Sequence, residues 1–84
     1  MKKAIHPAQL RAARALLDWS RPKLAAASGA TVRTIARYEA AEGEPRDSTT
    51  DAIRKALEDA GVFFIDDDEG DLGPGVRLRR KAIV

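Results

Sequence analysis

Arg33 and Arg37, four residues apart in the stretch SGATVRTIARYE, are the side chains of this 84-residue chain whose type and spacing say most about chemistry. On a helix that spacing puts them on one face. A guanidinium presents a planar fork of N–H donors, so what the pair offers is recognition of planar or anionic acceptors, not bond breaking. Other candidates carry less. His6 is the sole histidine and has no neighbouring nucleophile or ligand set. The absence of cysteine removes thiolate metal sites and disulfides. The acidic run Asp66 to Glu69 lacks the spacing of a calcium loop and reads as a solvated turn. Neither a metal, a cofactor nor a catalysed reaction is expected.

The net charge of +2 conceals a segregation. Met1 to Arg46 holds nine Lys or Arg against four acids; Asp47 to Asp71 holds nine acids against Arg54 and Lys55; Leu72 to Val84 carries Arg77, Arg79, Arg80 and Lys81 with no acid. A basic first half can attract a polyanion although the whole chain is nearly neutral, while a lopsided solvated helix face accounts for the charge alone equally well. No apolar run is long enough for a signal segment or a membrane span, which reads as a soluble cytosolic protein.

These side chains need elements to hold them. PAQLRAARALLDW repeats Leu10, Ala13 and Leu17 at helical spacing behind Pro7, with Ala12 and Leu16 beside them, and ends near Asp18. Ser20 is a good N-cap for a short second helix, RPKLAAAS, with Pro22 in its first turn. Gly29 supplies a left-handed turn and Thr31 caps a third helix, VRTIARYEAA. After the loop GEPRDS, Asp47 or Ser48 is expected to cap a fourth helix, striped by Ile53, Ala56, Leu57 and Ala60 and stopped by Gly61. Beyond it, VFFI and VRLRRKAIV have strand character, the second alternating Val76 and Leu78 against Arg77 and Arg79. They are separated by a loop long for a tight hairpin, so pairing within one chain or across two both remain open. Leu, Ile, Val and Phe number 18 against 16 Ala, so the core is thin and self-association is expected.

The spacing of Ala25, Gly29 and Ile35, flanked by Leu24 and Tyr38-Glu39, resembles the Xre/Cro family of phage-repressor-type helix-turn-helix regulators over roughly the first 60 residues. The resemblance implies a mainly α fold: a compact four-helix, lambda-repressor-like DNA-binding domain over residues 1–61. Residues 62–84 then form a short two-strand β extension. By the same resemblance Arg21, opening helix two, contacts a phosphate, and Val32, Arg33, Thr34 and Arg37 face the bases. Arginine can bind guanine bidentately and Val32 can pack on a thymine methyl. Thr31 and Thr34 are candidates for phosphate or backbone contacts, and Arg46 for a phosphate beyond the recognition helix. The resemblance also pairs Arg14 with Glu39 as a buried structural ion pair, while Trp19 is read as core and Lys23 as solvated.

The expected partners are double-stranded DNA and a second copy of the chain, since a domain this small reads only a few base pairs and a two-fold doubles the contact. Val62, Phe63, Phe64, Ile65, Val76 and Leu78 are the expected dimer interface. Arg77, Arg79, Arg80 and Lys81 form either a phosphate-touching face or, better matched to the alternation, the charged outer face of a dimer strand. The functional expectation is a transcriptional regulator, most simply a repressor on a palindromic operator. The alternative is a protein-interaction module, such as an antitoxin or an accessory factor, in which DNA binding is secondary.

Overall fold

The structure, a computed structural model, describes residues 5–43, 45–67 and 70–80. Four helices, α1 (Pro7–Leu17), α2 (Arg21–Ser28), α3 (Val32–Glu39) and α4 (Asp47–Asp59), precede two antiparallel strands, β1 (Val62–Ile65) and β2 (Gly75–Leu78). Glu44 of the proline loop, Asp68 and Glu69 of the acidic run, and Lys81 to Val84 of the expected last strand lie outside the described residues.

Most helix ends follow from local chemistry. The Ser20 hydroxyl accepts the Lys23 N–H at 3.1 Å, and the Thr31 hydroxyl accepts that of Thr34 at 3.0 Å, each satisfying a donor the helix itself cannot. Gly29, at φ 83°, ends α2 by returning its N–H to the Ala25 carbonyl. At the end of α3 the same job falls to an alanine. Ala41 sits at φ 59°, its N–H bonding the Tyr38 carbonyl while that of Glu42 reaches Arg37, a Schellman closure without the usual glycine. The start of α4 corrects the expectation. Arg46, not Asp47 or Ser48, occupies the cap and makes no side-chain capping bond. Asp47 instead lies in the first turn, where its charge meets the positive end of the helix.

One core runs through both parts of the chain. Leu10 and Ala13 of α1, Leu24 of α2, Ile35 and Tyr38 of α3, Ile53, Ala56 and Leu57 of α4, and Val62 and Phe64 of β1 are all buried. Each fully buried aliphatic side chain contributes about 1.5–3 kcal/mol, so removing any one matters in a core this small. Ala12 and Leu16, expected beside the α1 stripe, are exposed, whereas Leu17 is half-buried. Trp19 is half-buried against the core, and the Lys23 ammonium, expected to be purely solvated, stands 5.6 Å from its ring.

The strands pair within the chain, Val62 opposite Leu78, Phe63 opposite Arg77 and Phe64 opposite Val76. Gln9 latches the hairpin to α1. Its buried amide donates to the carbonyls of Ile65 at 3.0 Å and Gly75 at 2.9 Å, while its oxygen accepts the His6 N–H at 2.9 Å. Leu78 shares the inner face with Val62 but lies at the hairpin's end, where it is 45 % exposed.

Candidate nucleic-acid interface

Residues of α3 divide by face, and the helical repeat explains the division. Ile35, Tyr38 and Glu39 are buried; Val32, Arg33 and Arg37 are exposed. Tyr38 is fixed at its far end too: its hydroxyl donates to the Ile5 carbonyl at 2.6 Å and accepts the Ile5 N–H at 3.2 Å. A helix held so firmly on one side presents the other as a preformed surface. Ala25, half-buried in the middle of α2, and the Gly29 turn let α2 and α3 meet closely.

A family model described as Helix-turn-helix matches residues 10–58, more than half of the chain. The chain belongs to the helix-turn-helix family, of the Xre/lambda-repressor type. No curated protein matches it. As a helix-turn-helix protein it is a DNA-binding regulator of transcription. Among the described residues, no helix is long and apolar enough to cross a membrane.

In this helix-turn-helix protein the first-turn threonines have unequal freedom. Thr31 caps α3 and its hydroxyl donates to that of Thr34 at 3.0 Å, so its proton is committed. Thr34, half-buried, accepts that bond, and no bond donated by its own O–H is found among the described residues. Arg37 borders a shallow pocket of about 160 Å³ with Thr34, Tyr38, Glu42, Gly43 and Pro45, and Arg46 is exposed just beyond it at the head of α4.

Behind the exposed face lies an ion cluster larger than the pair expected from sequence. The Arg14 Nε and Nη2 atoms donate to the two Glu39 carboxylate oxygens at 2.6 and 2.9 Å, while its Nη1 bonds the Trp19 carbonyl at 2.9 Å. Arg21 adds a third donor to the carboxylate, Nε to Oε1 at 3.0 Å, and Arg11 bonds the Glu39 main-chain carbonyl. Burial alone would raise the Glu39 pKa. Hydrogen bonds from Arg14 and Arg21, with their charges, outweigh it and hold the carboxyl below its usual range. The hydrogen bonds that Arg14 donates to Glu39 raise the Arg14 pKa in turn, against the opposing effect of burial.

This changes the reading of Arg21. It is not a free phosphate ligand but a half-exposed side chain, 45 % accessible, anchored through Nε to a carboxylate only 1 % exposed. Its terminal Nη groups make no further hydrogen bond among the described residues, so one end is fixed and the other points outward. Sequence reasoning also missed Arg11. Its spacing of three from Arg14 on α1 was the available signal.

The expected dimer residues separate as well. Val62 is 0 % and Phe64 5 % exposed, both inside the protomer's own core, which removes them as side-chain contacts to another chain. The reason is the register: the face carrying Val62 and Phe64 is the one that covers the helices. Phe63, on the opposite face, is 47 % exposed, with the Arg79 guanidinium 5.2 Å from its ring. Ile65 and Val76 are half-buried.

Proposed function

We propose that this regulator is a repressor that binds a palindromic operator as a homodimer, α3 lying in the major groove of each half-site. The division of α3 carries the proposal: an inner face fixed by Ile35, Tyr38 and Glu39 leaves Val32, Arg33 and Arg37 outward on a rigid helix. Arg33 and Arg37 read guanine edges, Val32 packs on a thymine methyl, and Thr34 donates to the backbone. Arg21 and Arg46, at the heads of α2 and α4, hold phosphates on either side of α3. Arg21 does so with its Nη groups while Glu39 holds its Nε, which supports a pre-oriented contact. Repression follows by occluding a promoter.

Selection of binding sites from random duplexes at two salt concentrations tests the reading. An enriched palindrome is expected, with binding that weakens steeply as salt rises. Binding without sequence enrichment, or enrichment of a single non-repeated site, would overturn it.

A further inference from the structure

Among the described residues no third strand joins the hairpin, and its two outer edges differ in what a second copy would meet there. Arg79 N–H bonds the Gly61 carbonyl at 2.7 Å, one pair beyond the Val62–Leu78 register. Antiparallel ladders alternate, so Gly61, Phe63 and Ile65 turn their main-chain groups toward β2, and Val62 and Phe64 turn theirs to the outer edge of β1. The Gln9 amide supports that phase, since it reaches the Ile65 and Gly75 carbonyls together, as only an inward-facing pair allows. Among the described residues no main-chain bond outside the strands engages Val62 or Phe64. By the same alternation Val76 and Leu78 face outward from β2.

We infer that the two copies of the homodimer join through the outer edge of β1, antiparallel, on a two-fold axis passing between Phe63 of one copy and Phe63 of the other. The inference rests on the homodimer reading above and specifies its contact. In that register the outward N–H and C=O groups of Val62 and Phe64 bond their counterparts reciprocally. A four-stranded sheet results, with β1 strands at the centre and β2 strands outside. Phe63 faces Phe63 in a non-hydrogen-bonded pair, where side chains approach most closely, with Cα atoms about 4.5 Å apart.

Charge selects this edge over the other. The sequence VFFI carries no charge, whereas β2 presents Arg77 at its centre. Pairing two β2 edges in the equivalent register sets Arg77 opposite Arg77, and like charges directly opposed disfavour a sheet. An uncharged edge strand is the one that recruits a partner, and Arg77 on β2 guards the outer edge of the completed sheet. The contact also covers the exposed Phe63 ring, while the buried Val62 and Phe64 side chains stay where they are.

The chain has no cysteine, so single cysteines report the contact cleanly. Full-length Phe63→Cys and Arg77→Cys, each compared under the same mild oxidant, separate the two edges; both positions are exposed, so folding is retained. Phe63→Cys should cross-link rapidly, because facing Cα atoms at that separation suit a disulfide, and Arg77→Cys should remain largely uncross-linked. Cross-linking of Arg77→Cys in preference to Phe63→Cys would overturn the β1 edge. Phe63→Lys, which opposes two charges on the axis, should weaken dimerisation by sedimentation at least tenfold; an unchanged dimer would overturn the register while leaving the homodimer standing. A wild-type chain that sediments as a monomer at concentrations where it occupies its operator would instead remove the homodimer reading itself.

Discussion

Five arginines of the first three helices share one chemistry and fall into two groups. Arg11, Arg14 and Arg21 converge on Glu39, on its carboxylate or its main-chain carbonyl, while Arg33 and Arg37 stand on the open face of α3. The first group ties α1, α2 and α3 to one residue whose side chain is 1 % exposed; the second makes no side-chain hydrogen bond or ion pair among the described residues. The difference teaches that residue type alone does not say which arginine is left open to an outside acceptor. What decides is whether the protein has already supplied the acceptor. Arg21 stands between the groups, anchored at one atom, its Nη groups making no further hydrogen bond among the described residues.

The sharpest way to break the contrast is to remove the shared acceptor. Glu39→Ala removes the buried carboxylate that Arg14 and Arg21 share, leaves the part-buried Arg14 guanidinium with only the Trp19 carbonyl, and should cost about 3 kcal/mol of stability, read by chemical denaturation. If it costs under 1 kcal/mol, the cluster is not a structural hub. The pH dependence follows from the same residue. Its folded pKa is depressed, so its contribution is fully present above the ordinary carboxylate value of the unfolded chain and is lost as pH falls through the lower folded value. Glu39→Gln should flatten that part of the acid-unfolding profile.

Arg37→Ala makes the opposite prediction, leaving the melting curve close to unchanged and relaxing preference at one base position by about 1–3 kcal/mol. A uniform loss across all sequences would move Arg37 to the backbone-contacting set. Arg46→Ala should weaken binding about equally on every sequence and shallow the salt slope by about 1. Arg21→Ala should do the same and also lower stability, the double effect that marks its intermediate place. The smallest effect concerns the end of α3: Ala41→Gly, at φ 59°, should stabilise the fold by about 0.5–1 kcal/mol by relieving a left-handed alanine.

What was legible in the sequence was what depends on near neighbours. Ser20, Gly29 and Thr31 mark α2 and α3 because a cap bond spans three or four residues, and the Ile35–Tyr38 stripe marks the inner face because a helix repeats. The joining of distant segments was not legible. Gln9 meets Ile65 and Gly75 across more than fifty residues, and nothing in PAQLR singles it out. Arg11 and Arg21 reach Glu39 only because three helices cross there. Ala41 could not be read as a turn residue since alanine rarely adopts that conformation. The inward placement of Val62 and Phe64 depended on the hairpin register, which a long loop leaves open.

The Gln9 latch has a consequence for the DNA itself. One amide fastens the strand pair to α1, and Arg14 fastens α1 to α3 through Glu39, so hairpin and α3 are tied into one body. In a dimer joined at the hairpin, that body acts as a ruler whose length is written into the protomer. The distance between the two α3 helices is then fixed in advance, and the duplex must offer its half-sites at the matching phase, about one helical turn or a whole multiple apart. A single base pair inserted at the operator's centre would rotate one half-site by about a tenth of a turn, and with no slack between hairpin and helix, such a site would be refused.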